Sequence, residues 1–144
     1  MMNDEHNSLD ELKRVDHLIF VTLKYTRTAD IIKNVINRLV LALDYQSEEF
    51  LHQIVKKGKL DSVPTVALLR VKKLEELFKK DKEIKDMVDF YVLLRKIDKS
   101  EYTSQEEYRK NVALISDNIM VNIEVLKSYA DKTKKYINYV KSLM

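Results

Sequence analysis

The sequence predicts an all-α fold, a bundle of about five helices, and three observations carry that prediction. Only one glycine (Gly58) and one proline (Pro64) punctuate 144 residues, whereas strand-rich domains need many turn residues to reverse direction. Apolar residues make up 45% of the chain and charged residues 34%, enough of each for amphipathic helices joined by short polar corners. Most of the apolar positions recur at three- and four-residue steps, the spacing of one helical face.

The first helix is expected to open at Ser8, where Ser8-Leu9-Asp10-Glu11 has capping-box spacing. Leu9, Leu12, Val15, Ile19 and Leu23 continue it. Leu18–Val21 is apolar on every side, so this helix is central or feeds a second interface. At Tyr25-Thr26-Arg27-Thr28 the apolar run pauses. Either the helix passes through, or it breaks and Thr28 caps a second helix carrying Ile32, Val35, Ile36, Leu39 and Leu43; the break is the favoured reading. Ser47-Glu48-Glu49 reads as a further helix start, with acids at the positive dipole end, and Gly58 as its stop. Ser62-Val63-Pro64 opens the next, with Leu68, Val71, Leu74 (or Glu75) and Phe78 inward. Another helix spans roughly 82–98, with Ile84, Val88, Tyr91 and Leu94 (or Arg95) inward.

The last third admits two readings. Ser104-Gln105-Glu106-Glu107 is a second capping box, and apolar steps from Tyr108 to Val140 fit one long helix. Alternatively, the β-rich runs Val112–Ile115 and Ile119–Val121, separated by Ser116-Asp117-Asn118, form a short β-hairpin near 112–121. Asn122 then caps a final helix. Residues 1–7 read as an acidic disordered tail and 8–144 as a single helical-bundle domain, with no repeat or linker to divide it.

Composition excludes several chemistries. Without cysteine there is no disulfide, zinc–thiolate site or thiol nucleophile, and one glycine cannot build a phosphate-cradling loop. The N-terminus lacks the pattern of a signal peptide, and the longest uncharged run, Ser62–Leu69, is far below the roughly 20 residues of a membrane span. A soluble, cytoplasmic protein is expected. The net charge is +3; residues 1–11 carry four acids and no base, which leaves +7 for the remainder. That is a mild attraction towards acidic surfaces.

Several constellations compete for a role. Glu49-Phe50-Leu51-His52 has the Glu-x-x-His spacing of di-iron bundles, but it is one half of a four-part site; no metal and no cofactor is expected. Asp16 falls on the apolar stripe of the first helix, where it reads as a buried acid or as an ion pair locking two helices, an arginine being the expected partner. Asp16-His17 has no serine placed for nucleophilic catalysis. The best binding candidates are Tyr25 with Arg27 and Tyr108 with Arg109, each pair at an element junction, with Arg95 able to join them. Arginine forks match phosphates and tyrosine stacks on bases, although arginines at helix ends also cap carbonyls. Lys127, Lys132, Lys134, Lys135 and Lys141 read as a solvated face rather than a groove.

Two resemblances follow from these segments. Leu23–Thr28 with Leu94-Arg95 and Glu107–Lys110 resembles small helical proteins found among archaea, a likeness that implies no activity. The helix order is similar to HEPN-type bundles, which are often dimeric and associated with RNA cleavage or with nucleotidyltransferase partners. Active HEPN nucleases carry an arginine and, four to six residues on, a histidine. No arginine here is followed by histidine at that spacing, and Arg109-Lys110-Asn111 offers an asparagine. The resemblance therefore implies a binding relative without nuclease activity. The expected function is a non-catalytic protein-interaction module, self-associating as a homo-oligomer through four apolar stretches (Leu18–Val21, Leu39–Leu43, Val66–Leu69, Phe90–Leu94) or binding a partner protein. The alternative is an RNA-binding bundle. An enzyme ranks third, for want of a complete catalytic set.

Overall fold

The first helix keeps its inward stripe by changing its pitch. In the computed structural model, which describes residues 7–144, α1 (Ser8–His17) runs without a break into a π-helical turn (Leu18–Thr22) and a last α-helical turn (Leu23–Tyr25). Val15, Ile19 and Leu23 are spaced by four and are all buried. Steps of four overshoot a 3.6-residue turn, and one wider turn takes up the excess. The same adjustment leaves Phe20 and Val21, 60% and 43% exposed, on the outside. The chain then breaks at Thr26, and Thr28 accepts the Ile31 N–H at 3.3 Å to cap α2 (Ala29–Lys56), which is the break the sequence favoured.

Helix α2 is the axis of the fold, touched by α1, α3 (Ala67–Leu77), α4 (Lys82–Lys99), α5 (Ile123–Leu143) and the sheet. It holds Ile32, Val35, Ile36, Leu39, Leu43, Leu51 and Ile54 in one continuous core. The expected start at Ser47 does not occur. Ser47 lies buried within the helix, because Phe50, Leu51 and Ile54 extend the same apolar face and make continuation more favourable than a corner. Gly58, at φ 74°, ends it as expected. Helix α3 begins at Ala67, three residues beyond Pro64 and not at Ser62. Arg70 Nη1 donates to the Pro64 and Thr65 carbonyls at 3.2 and 2.9 Å and fixes the preceding loop in a non-helical path.

The hairpin reading of the last third is the one that forms. Strands β2 (Ala113–Ser116) and β3 (Ile119–Asn122) pair antiparallel around Asp117-Asn118, with Leu114 opposite Val121 and both buried. Asp117 sits at φ 52°, a left-handed position that Asp tolerates. An additional strand, β1 (Thr103–Gln105), pairs Ser104 with Leu114, so the sheet has three strands and the capping box expected at Ser104 is absent. Asn122 accepts the Val125 N–H at 2.8 Å and caps α5. Among the described residues the chain is thus five helices and one small antiparallel sheet.

Two further expectations change at the first helix. Asn7, not Ser8, is its N-cap, accepting the Asp10 N–H at 2.9 Å. It therefore belongs to the fold, whereas the rest of the expected tail, 1–6, lies outside the described residues. Ser8 instead donates to Gln46 at 2.8 Å, and Glu11 turns inward, 1% exposed, to meet Arg14 at 2.8 Å and Arg38 at 3.3 Å. The buried acid of this helix is Glu11 rather than Asp16. Asp16 is partly exposed and pairs with Lys134 at 2.7 Å, an α1–α5 ion pair made by a lysine and not an arginine.

Candidate nucleic-acid interface

The segments carrying Tyr25 and Arg27 and Tyr108 and Arg109, about eighty residues apart, meet at one corner. Three polar contacts bind the segment from 102 to 111, which carries β1 and the loop after it, to the start of α2. Tyr102 donates to the Asp30 carboxylate, which pushes its own phenol up to about 12. Glu107 accepts the Ala29 N–H at 3.2 Å, placing its negative charge at the positive end of the helix. The Tyr108 N–H donates to the Arg27 carbonyl at 2.6 Å. This explains why Glu107 failed as the end of a local capping box: it caps a helix distant in sequence.

The loop itself is held in an uncommon conformation. Glu106 and Tyr108 both lie at positive φ, 54° and 68°, a region costly for an aromatic residue unless its surroundings enforce it. With its backbone anchored on Arg27, Tyr108 leaves its ring 73% exposed, and Tyr25 is 79% exposed. Arg109 is largely exposed and lies 3.7 Å from Glu106.

Between these segments runs a groove of about 440 Å³. Its walls include Phe20 and the cations Lys24, Arg27, Lys110 and Lys127, with Glu124 as its single acid. None of the four cations makes an ion pair with a described residue. The Lys127 ammonium lies 5.6 Å from the centre of the Phe20 ring. Positive charge and aromatic surface are therefore interleaved. Phe20, Lys24 and Lys127 escaped the sequence reading as site residues. The all-round apolar character of Leu18–Val21 was the only signal for Phe20, and Lys127 reads in the sequence as part of a solvated lysine face.

Arg95 stands apart. It lines a different groove, and its guanidinium reaches the Tyr91 hydroxyl at 3.4 Å. Tyr91 in turn donates to Asp44 at 2.6 Å inside the bundle. Burial pushes the Asp44 carboxyl above its ordinary value, while Tyr91, Arg70 and Arg95 pull it back; burial and the Asp44 charge raise Tyr91 well beyond the usual phenol range. Arg95 thus serves an internal polar cluster that joins α2 to α4.

The remaining candidates are dispersed. His52 is exposed beside a half-buried Glu49, and among the described residues no group of three or more acids and histidines converges on one point. Of the five C-terminal lysines Lys127 alone lines the groove; Lys132 lies over Phe90 at 5.7 Å, Lys134 pairs with Asp16 and Lys135 pairs with Glu83 at 3.6 Å. No helix among the described residues is long and apolar enough to cross a membrane. Compared with protein families, curated proteins and solved structures, the chain matches none.

Proposed function

We propose that this chain is a nucleic-acid-binding bundle that takes single-stranded RNA along the groove between α1 and the loop before β2. The observation that carries the reading is the Tyr108–Arg27 hydrogen bond, which joins the two arginine–tyrosine segments into one surface. Phe20 offers a stacking face inside the groove and Tyr25 and Tyr108 offer exposed ones on the segments beside it, while Lys24, Arg27, Lys110 and Lys127 line the groove without ion pairs to described residues. A single strand is favoured over a duplex because stacking needs bases free of their partners.

The test is binding of a fluorescent mixed-sequence RNA at about 50 and 200 mM salt. Four phosphate contacts to a single strand give a slope near −2.8, so affinity is expected to fall about 50-fold between those salts. Replacing Tyr25 or Tyr108 by Ala is expected to cost about 1–3 kcal/mol of binding each with little change in thermal stability, since both rings are exposed. Absence of binding at either salt, or binding indifferent to a combined Arg27→Ala and Lys110→Ala change, rejects the proposal.

A further inference from the structure

A second groove, independent of the first, lies between the start of α3 and the end of α4 and encloses about 350 Å³. Leu68 and Val92 form its apolar floor, and Lys72, Arg95, Lys96 and Lys99 surround it. No acid lines it, and none of these four cations makes an ion pair with a described residue. Leu69, 54% exposed, and Val66, 49% exposed, extend the apolar surface along the ridge that Lys72 continues, at three-residue steps. Val92, 41% exposed, repeats the pattern on α4, where Lys96 and Lys99 follow at helical spacing. The packing of α3 against α4 produces the groove. Helix α4 runs past the first turn of α3, which starts late because Arg70 holds the loop at Pro64 and Thr65.

We infer that this groove docks an acidic amphipathic segment of a partner protein, with aliphatic side chains seated on Leu68 and Val92 and reaching onto the neighbouring ridge at Leu69, and with carboxylates meeting Lys72, Lys96 and Lys99. Charge complementarity selects this occupant. A second copy using the same face would oppose four cations with four and be repelled. A nucleic-acid strand would find phosphate partners but no aromatic face, because the lining holds none, in contrast to the groove at Phe20. An aliphatic floor inside a cationic rim is complementary to a helix that alternates leucine and glutamate faces.

The experiment uses the whole chain and a fluorescein-labelled, end-capped peptide of leucine and glutamate in helical repeat, followed by anisotropy. Saturable binding is expected, weakened about tenfold by Val92→Ser, which removes an exposed aliphatic face that the bound peptide covers, and at least as much by Lys96→Glu with Lys99→Glu. Leu69→Ser gives a second apolar variant, on the exposed ridge of α3 next to Leu68, and Arg27→Ala, in the other groove, is expected to leave peptide binding unchanged. Circular dichroism confirms that each variant folds. Four results overturn the inference: no saturable binding; loss in the charge variants with Val92→Ser and Leu69→Ser both unaffected, which is unspecific attraction; single-stranded RNA binding abolished by Lys96→Glu with Lys99→Glu, which makes the groove a nucleic-acid site; or a concentration-dependent dimer removed by Val92→Ser.

Discussion

Replacing Tyr91 by Phe tests the polar cluster at the centre of the bundle without opening a cavity. The ring of Tyr91 is fully buried, and its hydroxyl donates to Asp44 at 2.6 Å. The substitution removes only the oxygen. A hydrogen bond to a charged group contributes about 1.5–3 kcal/mol, and at this chain length 1 kcal/mol moves the midpoint by roughly 4 °C, so Tm at pH 7 is expected to fall by about 6–12 °C. The loss carries a pH signature. Burial raises the folded pKa of Asp44 above 3.8, so the native state holds the proton more tightly than the unfolded state. Stability contributed by this group rises as pH falls through the raised value and is complete below about 3.8. Tyr91 opposes that shift by stabilising the carboxylate. The penalty of Tyr91→Phe is therefore largest at neutral pH and shrinks towards about 1 kcal/mol, the value of a neutral hydrogen bond, once Asp44 is protonated. Thermal unfolding followed at 222 nm at pH 7 and near pH 4, with Asp44→Asn as the variant that cannot titrate, measures both. A loss below about 0.5 kcal/mol at pH 7, or one that is the same at both pH values, would refute the account.

Four further outcomes follow from the contacts. Glu11→Ala is expected to destabilise by about 2–4 kcal/mol in chemical denaturation, since it strips Arg38, whose buried Nε already lacks a partner, of its carboxylate. Lys134→Ala, at a half-exposed ion pair with Asp16, is expected to cost less than about 1 kcal/mol and less still in high salt. Asn122→Ala removes the acceptor for the Val125 N–H and is expected to cost about 1 kcal/mol in the same assay, with weakened amide-exchange protection confined to the first turn of α5. Gly58→Ala is expected to cost about 1 kcal/mol from backbone strain alone, because a Cβ there meets nothing within 4 Å; a much larger loss would contradict the open surroundings.

Local signals in the sequence were reliable where one interaction decided the outcome. Thr28 and Asn122 cap the helices assigned to them, and Gly58 ends α2 because a left-handed residue does so without help from the rest of the fold. They failed where a distant partner outbid a local one. Ser8 and Glu11 have capping-box spacing, yet Gln46, 38 residues away, takes the Ser8 hydroxyl, and Arg38 draws Glu11 inward. Ser47 with two following glutamates looks like a helix start only if the burial of Phe50 and Leu51 against the same core is ignored. Strand β1 carries no apolar pattern, and all three of its residues are exposed, so nothing in its composition distinguishes it from a loop. It exists because β2 offers a free edge.

The same division governs the two grooves. The sequence could nominate Tyr25, Arg27, Tyr108 and Arg109 because aromatic and guanidinium groups stood side by side at element junctions. It could not show that Glu107 caps α2 and thereby sets the two segments in contact. Nor could it show that a π-turn would send Phe20 outward beside Lys127. Arg95 looked equivalent to the others by type, and only its distance from that corner assigns it to the second groove. The four apolar stretches divide in the same way. Leu39, Val40, Ala42 and Leu43 are core, while Val66, Leu69, Val92, Phe20 and Val21 remain on the surface. Of these, Phe20 and Val92 line the two grooves where unpaired cations also gather. A chain with so few turn residues has little freedom in where its helices end. Its recognition surfaces therefore arise at the corners: one where α1 gives way to α2, the other where α3 starts short of the end of α4.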